Sequence, residues 1–294
     1  MKRRSLISGC LVAVVLMLLS GCMGGLQTQW VPVGIGFDPV IGHDTRAEES
    51  VPLPADRTFN VWAVTATDGA MYLNDETVAC RDGGWMASKA WPMDELSFEA
   101  YSPSNLRPQF SKDKGLIIND FDCSAANVDI LVAKTGNVTF DADSLVALTF
   151  EHALSRVEFR MRQSLSPLMR VRVLKIEMIG FASKGTYNSR KSTPWEIGPK
   201  DFSYVVYDDP VGHELTSTPI YIGEEFYTIP QLCRARIEVT FEIKFGDAAW
   251  IPQVEEIKEL DTNWEPNTHY TFTLNLTETK LTHTTGISNW NNRD

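Results

Sequence analysis

Arg236-Ile237-Glu238-Val239-Thr240-Phe241-Glu242-Ile243-Lys244-Phe245 sorts its residues into two sets without exception. Ile237, Val239, Phe241, Ile243 and Phe245 take every second position, and charged residues or threonine take those between. Successive side chains of a strand point to opposite faces, so a period of two marks a strand with one buried face; a helix would repeat near 3.6. Sheets with one wet face are antiparallel far more often than parallel. The stretch therefore predicts an antiparallel sheet packed on one side.

The same alternation runs outward from it. Tyr270, Phe272, Leu274 and Leu276 oppose Thr271, Thr273, Asn275 and Thr277, and Val157, Phe159 and Met161 oppose Arg156, Glu158, Arg160 and Arg162. Between Arg170 and Met178 the apolar phase starts on Val171 and Val173 and slips to Leu174, Ile176 and Met178, as one inserted residue would cause, which predicts a β-bulge. Shorter strands are expected at Phe59–Thr65, Leu96–Tyr101, Leu116–Ile118 and Val128–Ala133, between turn-rich pieces such as Asp82-Gly83-Gly84. A helical stripe is suggested only at Val254–Leu260. Many short strands separated by turn signals predict β-sandwiches. At roughly 100 to 200 residues per domain the chain has room for two, with the boundary expected at 141–147, where Asp141-Ala142-Asp143-Ser144 interrupts strand-like regions.

The N-terminus addresses the compartment. Lys2, Arg3 and Arg4 precede an apolar run from Leu6 to Leu19, which suits a signal peptide and is shorter than the roughly 20 residues of a spanning helix. The run ends in Leu19-Ser20-Gly21-Cys22, the lipobox pattern, in which the Cys22 thiol accepts a lipid. Residues 1–21 then leave as a signal peptide, and an outer-membrane lipoprotein precursor is expected. Loss of three basic residues and no acidic one takes the net charge from −11 to −14. A chain this acidic, without a basic cluster, does not suit nucleic acid. Cys80, Cys123 and Cys233 are too few and too far apart for a dense disulfide framework or a zinc knuckle.

Between Cys22 and the first domain, Val31, Val33, Ile35 and Phe37 line one face of a strand, and Pro32, Gly34 and Gly36 leave the other face bare. Such a strand gains by filling an apolar groove, and its proline suits a sheet edge. The polar loop that follows, 42–50, exposes Arg46 among small and acidic residues, and exposed polar loops are where proteases cut. A cut between Arg46 and Ala47 would release lipid and strand together and leave a template for a strand from another chain. On composition alone, the same residues also read as an ordinary first strand and loop.

The run Leu148-Thr149-Phe150-Glu151-His152-Ala153-Leu154-Ser155-Arg156-Val157-Glu158-Phe159, preceded by Asp129-Ile130-Leu131-Val132-Ala133, resembles the hallmark of the fimbrillin and Mfa-like pilin family. Tyr227–Gln231, Trp264–Phe272 and Ile287-Ser288-Asn289-Trp290 follow in the family's order. The resemblance implies an all-β fold of two transthyretin-like, Greek-key antiparallel sandwiches in tandem, residues 47–144 and 145–294, behind a propeptide at 22–46. It implies an exported lipoprotein, carried to the cell surface and built into a fimbrium that supports adhesion. An arginine-specific surface protease would cut after Arg46, and other pilin subunits, of the same or a different kind, would add a strand to the opened groove. The family's donor strand comes from the C-terminal end, here within Thr277 to Asp294, where Leu281, Ile287 and Trp290 are the apolar candidates. If the strand around Ile287 belongs to the subunit's own sandwich, a tip or accessory adhesin is implied in place of a stalk pilin.

Catalytic and cofactor chemistry find no motif. His43, His152, His213, His269 and His283 lack ligand spacing, so no metal is expected, and His152 reads as a packed, hydrogen-bonded core residue. No nucleophile elbow, phosphate loop or distinctive carboxylate pair occurs, and neither enzyme activity nor a cofactor is expected. The competing reading is a monomeric glycan-binding surface lipoprotein, with Trp62, Trp85, Trp91, Trp195, Trp250 and Trp264 as a stacking platform.

Overall fold

A computed structural model describes residues 33–42, 50–125, 127–141 and 144–290. The signal peptide, Cys22, Val31, Arg46 and Ala47 lie outside the described residues. The first half forms β1 (Gly34–Ile41), β2 (Val51–Pro52), β3 (Thr58–Thr65), β4 (Met71–Arg81), β5 (Gly84–Ala90), β6 (Leu96–Ser102), β7 (Gln109–Ser111), β8 (Gly115–Asp122), β9 (Leu131–Lys134) and β10 (Val146–His152). The second half forms β11 (Ser155–Ser164), β12 (Met169–Phe181), β13 (Lys184–Asn188), β14 (Trp195–Ile197), β15 (Phe202–Glu214), β16 (Ile220–Tyr221), β17 (Phe226–Thr228), β18 (Leu232–Phe245), β19 (Ile251–Asn263), β20 (Thr268–Thr277) and β21 (Leu281–Asn289). Among the described residues there is no α-helix. The expected stripe at Val254–Leu260 lies within β19, where Ile257 and Leu260 pair opposite Ile237 and Ala235 of β18. A long partner strand overrides the weak helical spacing.

In the first half the strands run β10-β9-β6-β3-β4-β5-β1, and β1 returns to β10, so the sheet closes into a barrel-like sandwich. Its core is Ile35, Phe37, Phe59, Val61, Phe98, Leu148 and Phe150 with their neighbours. In the second half the sheets β16-β11-β20-β21 and β15-β12-β18-β19 face each other across Phe159, Ile176, Ile237, Phe272 and Trp264. The alternation that opened the argument holds there, since Ile237, Val239 and Phe241 are buried, and it frays at Phe245, which is exposed at the strand's end. The bulge falls at Leu174, where the pairing of β12 slips between Val173 and Lys175.

Two findings depart from the antiparallel expectation. β1 pairs parallel with β10, and β11 pairs parallel with β20. Side-chain alternation specifies faces, not strand direction. In addition, β10, which follows the interruption at 141–144, hydrogen-bonds into the first half's sheet beside β1 and β9. A fourth sheet, β14-β13-β8-β7, draws two strands from each half, with Trp62, Tyr101, Leu116, Tyr187, Trp195 and Trp290 in the core beside it. The halves share hydrogen-bonded structure and do not merely abut.

Candidate strand-exchange slot

β1 is the first described strand and the one that closes the barrel. Phe37 to Ile41 pair in parallel with Val146 to Phe150, while Gly34 to Phe37 pair antiparallel with Ala90 to Trp85. The Gly42 amide donates to the Phe150 carbonyl at 2.8 Å and continues the ladder. Contrary to the expectation of an edge strand, β1 is bonded on both sides. Pro39 is tolerated inside the sheet because it needs to offer only its carbonyl, which accepts from the Leu53 amide at 3.0 Å.

Ile35 and Phe37 are 0% and 1% exposed. The Phe37 ring meets Phe59 and Phe98 edge-on, at 5.6 and 5.7 Å between centroids. Phe59 in turn contacts Trp85 and Phe150, both at 5.5 Å, so one inserted ring organises an aromatic cluster drawn from five strands. Val33, expected on the same face, is instead 41% exposed. The pairing with β5 slips between Gly34 and Gly36, and Val33 precedes that slip. Val33 lies just before the strand's first residue, where less of the sheet covers it.

The C-terminal candidates are placed in the chain's own sheet. β21 pairs with β20 from Leu281 to Asn289. Leu281 and Trp290 are buried, and Ile287 is 68% exposed. Trp290 lies against His152 at 4.2 Å and Tyr227 at 5.2 Å in near-parallel stacks, and its carbonyl accepts from Arg156 Nη1 at 3.3 Å.

That contact belongs to a buried polar junction between the halves. His152 Nδ1 lies 2.7 Å from Asp129 Oδ1, and Arg57 reaches the other carboxylate oxygen at 3.3 Å. Arg156 Nε donates to Glu225 at 2.9 Å, and Glu158 accepts from Thr271 Oγ1 at 2.8 Å with His269 Nε2 3.4 Å away. Burial holds the His269 imidazolium below its usual range, with Glu158 pulling the other way. Arg156 and Glu158 were expected on a solvated face, but Trp290, Glu225 and His269 pack over it and bury both. Sequence reasoning did not find this junction; Asp129 and His152 both lie in the two stretches that carry the family resemblance, which was the available signal.

Trp62, Trp85, Trp195 and Trp264 are buried in the cores and cannot stack on a sugar from solvent. Trp250 is partly exposed, with the Arg172 guanidinium 4.6 Å and the Lys244 ammonium 5.1 Å from its ring. Among the described residues no group of three His, Cys, Asp or Glu side chains converges as metal ligands, and no helix is long and apolar enough to cross a membrane. Cys80, Cys123 and Cys233 are free thiols. Burial pushes the Cys123 thiol up to about 11. Because the thiolate is the reactive form, iodoacetamide at pH 8 should label Cys123 only after unfolding, as mass spectrometry of native and urea-treated chain will read out.

A seven-stranded closure sealed by its first strand, with a two-sheet sandwich in the second half, defines an all-β protein of the sandwich class. A fimbrillin-like family model matches residues 45–290, and the chain belongs to that family. Comparison with curated protein sequences finds no match. Among solved structures, a fimbrial protein from Bacteroides vulgatus is 14% identical with a TM-score of 0.59, over 87% of this chain and 99% of that one. A candidate cell adhesion protein from Bacteroides ovatus is 15% identical with a TM-score of 0.57, over 90% of this chain and 100% of that one. At such identities the likeness is one of fold.

Proposed function

We propose that the chain is a structural subunit of a cell-surface fimbrium, built as two transthyretin-like sandwiches in tandem and assembled by strand exchange. It is exported with residues 1–21 as its signal and lipidated at Cys22 in the outer membrane. An arginine-specific protease then cuts between Arg46 and Ala47. The observation that carries the reading is the position of β1: it completes a barrel and buries Ile35 and Phe37, yet its next paired segment, β2, begins only at Val51. After a cut at residue 46, β1 is held by hydrogen bonds and apolar contact alone, and an incoming strand can restore both.

A cell expressing Arg46→Ala should retain the lipidated precursor and lose the ladder of polymer on gels. Mass spectrometry of the mature N-terminus checks the cut directly, and unchanged assembly in the variant would remove the proteolytic trigger. A second position in the assembly is favoured by a specific observation. With β21 paired along its length and Trp290 buried, the chain keeps its C-terminal strand, which suits a tip or accessory adhesin.

A further inference from the structure

A cleft opens where the two halves meet, and none of the residues lining it belongs to β1. Four pieces of chain bound it: the end of β10 with Ala153, the turn between β13 and β14, the segment that leads into β18, and the connection from β19 to β20. Its volume is about 350 Å³, inside the range of about 300–1,000 Å³ usual for small-ligand sites. Tyr187, Pro194, Trp195 and Trp264 form its walls, so the interior is aromatic and apolar. Its mouth is polar, with Glu151 and Glu265 both exposed there.

The charge at the mouth has one sign. No lysine or arginine lines the cleft, and neither carboxylate has an ion-pair partner among the described residues. Glu265 accepts from Asn263 Nδ2 at 3.1 Å. Lys191, next in the chain to the rim, is paired with Glu196 at 3.1 Å, and Lys200 donates to the Leu232 carbonyl. Burial first, and the Glu151 charge second, hold the Tyr187 phenol above its usual range. Unpaired carboxylates at the mouth of a low-dielectric hollow raise the local concentration of cations.

His152 also borders the cleft and is 3% exposed. Its Nδ1 lies 2.7 Å from Asp129, a residue that faces a different cavity, while its Nε2 has no partner within the protein. With the Nδ1 proton given to the Asp129 carboxylate, Nε2 presents a lone pair. Glu151, Glu265 and His152 Nε2 are therefore all acceptors. A guanidinium is the matching group, with five N–H donors and no acceptor. Its three-carbon stem is apolar and suits the aromatic walls, as long cationic side chains bury the stem and keep the head near water.

We propose that this cleft binds an arginine side chain of a partner protein, the stem lying along Tyr187, Trp195 and Trp264 and the head meeting the acceptors. The mouth is open, so the backbone that carries the arginine stays outside. This docking site does not depend on strand exchange at β1.

The test is calorimetric titration of the full chain with three ligands: a blocked glycyl-arginyl-glycine amide, the same tripeptide with citrulline, which keeps the stem and removes the charge, and agmatine. The arginine peptide should saturate. The citrulline peptide should bind roughly tenfold more weakly, the factor that one charge-assisted hydrogen bond implies. Glu151→Gln with Glu265→Gln should bring the two peptides level and leave the urea midpoint in place, because both side chains are exposed. Thr193→Trp, at an exposed position of the rim, should abolish binding of the arginine peptide. No saturable binding of that peptide, equal binding of the citrulline peptide by the unaltered chain, or a preference unchanged in the double glutamine variant overturns the site. Agmatine binding as tightly as the peptide overturns the partner-protein source and reassigns the cleft to a free guanidine.

Discussion

Phe37→Ala should destabilise the full chain by about 3–5 kcal/mol, the range for truncating a buried aromatic. The effect has two sources: folding no longer withdraws the ring's apolar area from water, and the space between Phe59 and Phe98 cannot readily collapse, because each packs on further rings. Against total stabilities of about 5–15 kcal/mol such a loss is severe. It should also be local. Hydrogen exchange should quicken first in β5 and β10, the two strands that β1 joins, while the sandwich of the second half stays protected. Val33→Ala supplies the contrast. Two residues of one apparent stripe should differ several-fold, with Val33→Ala costing no more than about 0.5 kcal/mol, as for ordinary surface changes. Urea unfolding of both variants decides it, and equal costs would mean that β1 does not seal the barrel.

Trp290→Ala should cost about 3–5 kcal/mol for the same reason, and its consequence lies elsewhere. The indole holds the end of β21 against His152 of the first half and Tyr227 of the second. Without it, the amides of 282–289 should exchange faster than those of β20, their partner, as hydrogen-exchange mass spectrometry will resolve by peptide. Trp290→Phe should retain part of the protection, since a ring still stacks. Unchanged protection in the alanine variant would show that pairing with β20 alone retains the strand.

The strands were legible because each buries one face, and burial of alternate residues is written locally. Ile237 to Phe241 and Tyr270 to Leu276 needed no knowledge of their partners. Strand direction and partnership were not legible, because β1 meets β10 across more than a hundred residues and no local pattern encodes a parallel pair between them. The slot was half legible: Ile35 and Phe37 stood out by composition, whereas the point at which β1 begins, leaving Val33 half covered, depends on its partner strands. The junction of Asp129, His152 and Trp290 assembles three separate stretches, and the burial of Arg156 and Glu158 follows from what packs over them. A charged residue on an alternating strand reads as solvated until its cover is known.

The ladders that β1 makes along β10 and β5 also bear on how the slot answers a pull. A strand lying in that slot and drawn lengthwise cannot be unzipped one bond at a time; the whole ladder from Phe37 to Ile41 takes the load in shear, with the phenyl ring wedged behind it. Rupture under tension is set by the barrier to leaving rather than by the equilibrium. If the proposed exchange joins subunits at this slot, separation under flow would require the wedge to leave first.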